Sequence, residues 1–361
     1  MPKPLTKKQS HEDNGKASTS PLPIQVPGVK NRMVATCKRG LPDRVGRFLL
    51  GSPSRLGTFT LTQEKREMRP KLKSLAKNTE LILEIKRDIR TLGIIGELEA
   101  SLLVYIVYTS RLLDDPLAIV MRGVSSSGKS VLLRRVAQLM PLDAVVDAMS
   151  MTSASLYNTP VDFFVHKILL TGERMHSKDD QTRDENANLR QLLSEKIISK
   201  MKSVQGEGGW HTELIEREGP VAYAESTTSG SIFEEDLNRL LQIYTNESSA
   251  QTRQVMQAVA EKYARKKVKS STQSIIDKHR KFQESLKPCI VRVPFAKTIA
   301  DNMPAEKVKA RRVITQVLAA VEAVALLHQF QRQREDGFLI ATVEQDYAVA
   351  RELLLKPLHA S

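Results

Sequence analysis

Gly123-Val124-Ser125-Ser126-Ser127-Gly128-Lys129-Ser130 decides how this chain is read. The octet fits G-x-x-x-x-G-K-[ST], and its flanks are those such a loop needs. Before it, Pro116-Leu117-Ala118-Ile119-Val120-Met121 is an apolar run of strand length. After it, residues 131–140 carry apolar side chains at helical spacing and stop before Pro141. Strand, glycine loop and helix together let backbone N–H groups and a helix N-terminus face a polyphosphate. Gly123 and Gly128 allow close backbone approach, Lys129 reaches the β- and γ-phosphates, and Ser130 is the Mg²⁺ ligand. The backbone of Val124, Ser125, Ser126, Ser127 and Val131 completes the cradle. A serine-rich turn that merely contains Gly-Lys-Ser is the bland alternative. With both flanks present, the expectation is a nucleoside triphosphate site, with ATP and Mg²⁺ as cofactors.

The rest of the composition sets bounds on the partners. A net charge of +14 over 361 residues points to a polyanion, most simply nucleic acid. Two distant cysteines, Cys37 and Cys289, exclude an internal disulfide framework or a cysteine zinc site and suit a reducing, cytoplasmic setting. None of the seven histidines is paired at metal-ligand spacing, so no structural metal is expected. The basic N-terminus has no apolar region behind it, which argues against a secretory signal. The longest apolar stretch, at 102–107, is far too short for a bilayer, and no membrane partner is expected.

Outward from the loop, the chain divides into three expected regions. Residues 1–74 are basic and largely disordered: 16 Lys/Arg stand against 5 Asp/Glu in residues 1–75. This stretch reads either as a solvated tail or as a basic arm for DNA or RNA. Residues 75–260 form the nucleotide-binding core. It is led by one amphipathic helix (Leu81, Ile82, Ile85, Ile89, Leu92) ending near Gly93, and by a second over 95–113 with its apolar side at Leu98, Leu102, Leu103, Ile106 and Val107. Residues 261–361 form a basic linker and a helical lid. Within it, 263–287 reads as an exposed charged helix with 8 Lys/Arg against 2 Asp/Glu, and 306–333 as one long helix. His328 reads there as a core-edge residue.

Past the loop helix, 144–149 reads as a strand, 153–157 as a short helix and 163–171 as a buried strand ending in Gly172-Glu173. An acid at that end can orient a water or support Mg²⁺, because the carboxyl ends of parallel strands converge on the phosphates. An incidental glutamate on a core strand is the alternative. A helix over 184–200 leads to a hairpin over 200–216, with Lys200 and Lys202 on one strand and Trp210 near a glycine-rich tip. Lysines there suit phosphates and an indole suits a base; otherwise Trp210 packs on its own strands. A strand over 221–228 ends in hydroxyls, Ser226 and Thr227 among them, and Asn238-Arg239-Leu240 follows.

This order of parts resembles the AAA+ ATPases of the helicase group that includes the minichromosome maintenance proteins. It looks closer still to the ATPase modules of primase- and helicase-like proteins of phages and mobile elements. Residues 189–202 resemble the segment leading into their pre-sensor hairpin. Glu225-Ser226-Thr227-Thr228 stands where sensor 1 belongs, with Ser/Thr in place of the usual Asn. Arg239 stands at the arginine-finger position, 312–323 resembles the sensor 2 helix, and 346–353 the helix that ends the lid. The likeness spans residues 93–356. One departure is Gly172, where the family carries an acid before the glutamate.

The resemblance implies an α/β P-loop NTPase fold of AAA+ type, a parallel-sheet core with helices on both faces and a small α-helical C-terminal lid. It implies ATP hydrolysis coupled to work on DNA. Glu173 would polarise water, Ser226 or Thr227 would report the γ-phosphate, Arg312 would fold the lid over the nucleotide, and Arg239 would act on a neighbour's ATP. A homo-hexamer is then expected, with a primase or other replication protein as a further partner. Three alternatives remain open at this stage: a nucleotide-switched DNA loader or regulator, a degenerate ATP-binding scaffold, and a small-molecule P-loop kinase, for which no acceptor site is apparent.

Overall fold

The computed structural model describes residues 75–172, 180–206, 209–228, 232, 234–264 and 272–359. One helix, α1 (Leu81–Thr91), buries Leu81, Ile85 and Ile89, which recur every fourth residue and so share one face. It stops where Gly93 takes φ +82°, a left-handed conformation that costs glycine little. The second helix, α2 (Leu98–Thr109), departs from the expected one-sided pattern: every residue from Ser101 to Thr109 is buried, Tyr105 and Tyr108 included. A helix apolar all round is one enclosed by its neighbours. Here those neighbours come from both the loop region and the C-terminal part of the chain.

Five parallel strands make the central sheet, in the order β2-β3-β6-β1-β7. They are β1 (Ala118–Arg122), β2 (Val145–Ala148), β3 (Lys167–Thr171), β6 (Val221–Thr227) and β7 (Leu241–Tyr244). Alternate residues of each strand face opposite layers. Ile119, Met121, Ile168, Leu170, Ala222, Ala224, Leu241 and Ile243 join one core, together with α1, α2 and the loop helix α3 (Lys129–Ala137). Ala118, Val120, Leu169, Val221 and Tyr223 join a second core. That one is covered by α4 (Ser153–Tyr157) and by α5 (Asp180–Glu195), which contributes Leu189 and Leu192. The sheet is thus flanked by helices on both faces, as expected of an α/β core. The strand expected over 163–171 is shorter than its sequence suggests. His166 takes φ 55° and breaks the extended run, so Phe163 and Phe164 lie in the turn before β3, edge to face at 5.0 Å.

Between α5 and β6 the chain forms an antiparallel hairpin, β4 (Ile197–Gly206) with β5 (Gly209–Glu218), considerably longer than the pieces read from sequence. A short helix, α6 (Glu234–Leu237), precedes β7, and α7 (Ser249–Ala264) follows it.

The next helix corrects an expectation. Instead of presenting a solvated charged face, α8 (Thr272–Ser285) buries His279, Phe282 and Gln283. His279 bridges α1 and α2: its Nε2 lies 2.8 Å from Asp88 Oδ2 and its Nδ1 3.0 Å from the Tyr105 hydroxyl. The Lys278 ammonium sits 2.5 Å from the same Asp88 oxygen. Burial alone would raise the Asp88 carboxyl, but hydrogen bonds from His279 and Lys278 bring it below its usual value, and burial holds the His279 imidazole low. Arg111 donates to Gln283 Oε1 at 2.9 Å and completes the seam. Charges every third or fourth residue on an amphipathic helix do not distinguish water from a buried polar partner.

The long helix expected over 306–333 is α10 (Ala310–Leu327). It packs on α2 and on the last helix, α11 (Ala348–His359), whose Leu353 and Leu354 belong to the same core as the sheet. This part of the chain also holds a three-stranded sheet of β8 (Val291–Arg292), β10 (Phe338–Ile340) and β9 (Arg334–Glu335), in that order, and the short helix α9 (Ala296–Asp301). His328 is fully inside, its Nδ1 2.9 Å from the Val324 carbonyl oxygen and its other nitrogen without a hydrogen-bond partner among the described residues. No helix among the described residues is long and apolar enough to cross a membrane.

Candidate functional site

The glycine loop leaves β1 at Arg122 and enters α3 at Lys129. Two conformations make the turn: Ser126 at φ 67° and Gly128, which caps α3, at φ 92°. Gly123 serves close approach. A methyl there would fall 2.1 Å from Thr245 Oγ1 and 2.9 Å from Glu247 Oε1, so the segment leaving β7 lies directly against the loop. That segment clamps it: the Val124 amide donates to Glu247 Oε1 at 2.6 Å, and Thr245 Oγ1 donates to Ser127 Oγ at 3.0 Å. Neither Thr245 nor Glu247 was legible as a loop residue in the sequence, because both follow a different strand more than a hundred residues later.

Lys129 is buried, and its ammonium donates to the Gly123 and Val124 carbonyls at 2.8 and 2.7 Å. It is folded against the loop it belongs to, in place to exchange carbonyl oxygens for phosphate oxygens. Ser130 Oγ lies 3.0 Å from Ser226 Oγ. This joins the first turn of α3 to the end of β6, where Met121 of β1 pairs with Ser226. Ser226 faces the α3 side with Ala222 and Ala224; Thr227, the next residue, faces the opposite layer with Tyr223 and Glu225. Of the two hydroxyls expected to sense phosphate, only Ser226 meets the loop serine.

Gly172 comes level with Ser226, two residues beyond the Leu170–Ala224 pair of β3 and β6. It is buried, and a Cβ on it would lie 2.6 Å from the Met149 carbonyl oxygen. The backbone just after β2 occupies the place where a side chain at this position would project. Glu173 lies outside the described residues. On the other layer Glu225, the first residue of the segment likened to sensor 1, is wholly buried. Its Oε2 accepts from the Tyr223 hydroxyl at 2.8 Å, and that hydroxyl is 2.9 Å from Thr171 Oγ1. Arg122 ties β1 to β7 through Gln242 Oε1 at 2.8 Å and the Tyr244 hydroxyl at 3.1 Å.

Arg239, expected to act on a neighbouring copy's ATP, lies away from this chain's own loop. Arg239 precedes the first residue of β7, at the amino end of the parallel strands, whereas the loop follows their carboxyl end. Its Nε donates to Ser194 Oγ at 2.8 Å and its Nη1 to the Glu235 carbonyl at 2.5 Å. Its pKa is lowered first by burial and then by the positive charges of Arg312 and Arg190. Arg190 in turn is paired with Glu235 and with Asp236 Oδ1, the latter at 3.1 Å. Arg312 thus lies within electrostatic reach of Arg239.

The hairpin separates the residues expected to act together on nucleic acid. Its register pairs Lys200 with Ile215, Met201 with Leu214, Lys202 with Glu213 and Gln205 with Trp210. Lys200 and Lys202 therefore share one face with Ile198 and Ile215, the face that meets the core. Lys200 Nζ sits 5.7 Å from the centroid of the Tyr157 ring. Trp210 is on the other face and 72 % exposed, so it does not pack on its own strands. No group of three or more His, Cys, Asp or Glu side chains among the described residues is arranged to hold a metal ion. No protein-family model matches the chain, and no curated protein matches it.

Proposed function

We propose that this chain is an ATP-binding and hydrolysing P-loop ATPase of the AAA+ type that acts on DNA as a helicase or primase-associated motor. The observation that carries the reading is the loop itself. A left-handed glycine caps α3, a buried lysine is held on the loop carbonyls, and the following serine meets a hydroxyl from the neighbouring strand. Triphosphate oxygens are the natural partners of that set. Lys129 neutralises the β- and γ-phosphates, and Ser226 orients the Ser130 hydroxyl and reports the γ-phosphate. Mg²⁺ fits this donor set, since it keeps most of its waters and takes one or two protein ligands plus phosphate oxygens; Ser130 would hold it, and when bound it neutralises charge on the phosphates. Glu173 is the acid proposed to orient the attacking water.

Arg239, at the far end of its own sheet, would serve a neighbouring copy's nucleotide, and Arg312 is proposed to fold the lid over the nucleotide. The preferred assembly is a homo-hexameric ring, with single-stranded or duplex DNA and a replication protein as partners. Lys200 and Lys202 are the proposed phosphate contacts. A second reading, an ATP-binding scaffold with little turnover, is favoured by Gly172, since the closed end of β2 leaves no room for the usual acid. A nucleotide-switched loader lies between the two. ATP turnover of the full chain with and without single-stranded DNA decides among them. DNA-stimulated hydrolysis supports a motor or loader, strand displacement singles out the helicase, and binding without turnover leaves the scaffold.

A further inference from the structure

Among the described residues, two apolar surfaces have no cover. The first is α7, a helix of 16 residues of which Gln251 alone is fully buried. Beyond Gln251, Val255, Met256, Val259 and Tyr263 are all exposed, Tyr263 by 86 %. At 100° per residue these four fall on one stripe. Arg253 and Lys262 flank it, and Glu261 points to the opposite side. A helix this short gains most of its stability by packing such a stripe, and here none of the described residues covers it.

The second surface is the outer face of the hairpin. Met201 and Leu214 pair directly across the strands and are 72 % and 61 % exposed, with Trp210 in line toward the tip. The same face carries Glu216 and Glu218 toward its base, while both lysines of β4 lie behind it. A two-stranded ribbon is itself marginal without a third layer.

The two surfaces are complementary: an apolar stripe flanked by cations, and an apolar ladder continued by carboxylates. They also leave the sheet at opposite ends. The hairpin is rooted where the Gly219 amide meets the Lys196 carbonyl just before β6 begins, and α7 follows the carboxyl end of β7. We infer that α7 of one copy docks on the outer hairpin face of the next, with Met256 and Val259 against Met201, Leu214 and Trp210. Such a joint uses different patches on its two sides, so each added copy presents both patches again, and the assembly closes into a ring or extends. The inference deepens the assembly proposed above, resting on that reading for a closed ring only; the contact itself is independent of ATP.

The test uses the full chain, nuclease-treated and without nucleotide. Two variants keep the local backbone preference: Met256→Gln with Val259→Gln on the helix, and Met201→Thr with Leu214→Thr on the hairpin. Both alter exposed side chains, and a melting curve matching the parent's confirms that each is folded. Sedimentation should show concentration-dependent association of the parent, with the single tryptophan, Trp210, shifting its emission to shorter wavelength as copies associate. Each variant alone should associate about 30-fold more weakly, as truncation of central interface residues does. Mixed one to one, the two variants should recover a dimer that does not grow, because one joint then has an intact helix and an intact hairpin. A parent that stays monomeric at the highest concentration would overturn the inference. So would variants that associate like the parent, or a mixture that gives no dimer. Loss of single-strand DNA binding in the hairpin variant, with association intact, would assign the face to nucleic acid and overturn it as well. Lys129→Ala run alongside separates the readings: it should associate like the parent whatever it does to turnover.

Discussion

Replacing Gly172 by alanine isolates the steric claim about the strand end that faces the loop. Gly172 does not have a left-handed φ, so alanine adopts its backbone without strain. At an unhindered position of that kind, the unfolded chain loses freedom and the protein gains about 0.4–1 kcal/mol. Here the new methyl would lie 2.6 Å from the Met149 carbonyl oxygen, well inside the 3.4 Å at which ordinary contact begins. The obstacle is backbone, not a side chain that can swing away. Moving it strains the link between β2 and β3, where the Gly172 amide reaches the Ala148 carbonyl at 3.4 Å. Overpacking of this kind costs about 1–3 kcal/mol. The net expectation is a loss of about 0.5–2 kcal/mol, or a fall of about 1–8 °C in melting temperature for a unit of this size. Gly172→Asp should melt lower still, since it adds a carboxylate in a buried place, and so should not restore an acid-bearing site. Thermal unfolding followed by circular dichroism measures both. An alanine variant that melts at or above the parent would refute the argument, and with it the claim that β2 excludes a side chain at this position.

Lys129→Ala removes the ammonium held by the Gly123 and Val124 carbonyls; it should abolish ATP turnover, and isothermal titration should show ATP affinity lowered at least tenfold. Arg239→Ala should leave ATP affinity nearly unchanged while most turnover is lost, and mixing it with Glu173→Gln protein should restore part of the activity; no recovery in complexes shown to mix would place Arg239 in its own subunit's chemistry or in none. Burial and then the charges of Asp115 and Asp114 raise the Glu322 carboxyl to about 7. A carboxyl whose folded pKa is raised contributes stability that is full below its unfolded value and lost as pH rises through about 7. Glu322→Gln should therefore raise the melting temperature relative to the parent at pH 8 and change it little at pH 5, and equal shifts at both pH values would refute the assignment. Lys200→Ala with Lys202→Ala should weaken single-strand DNA binding and its stimulation of ATPase while basal turnover survives, as fluorescence anisotropy and a turnover assay would show.

Much of the fold was written locally. The apolar run of β1, the glycines of the loop, the helix after it and the hairpin around its glycine cluster are short-range signals, and each stands where the sequence put it. The loop residues are contiguous, so they could be read as one set before any folding was known. What tertiary structure decided is what depends on register and on contacts between distant segments. Periodicity gives the face of a helix but not what covers that face, so α8 read as solvated although His279 reaches Asp88 and Tyr105 across the core. The one-residue alternation of a strand sent Ser226 to the loop and Thr227 away from it, and put Trp210 and the two lysines on opposite sides of the hairpin. Glu247 and Thr245 reach the loop because β7 lies beside β1, a neighbour that no local pattern announces. Side-chain chemistry is fixed by the sequence; which groups come within 3 Å of one another is fixed by the order in which the strands pair.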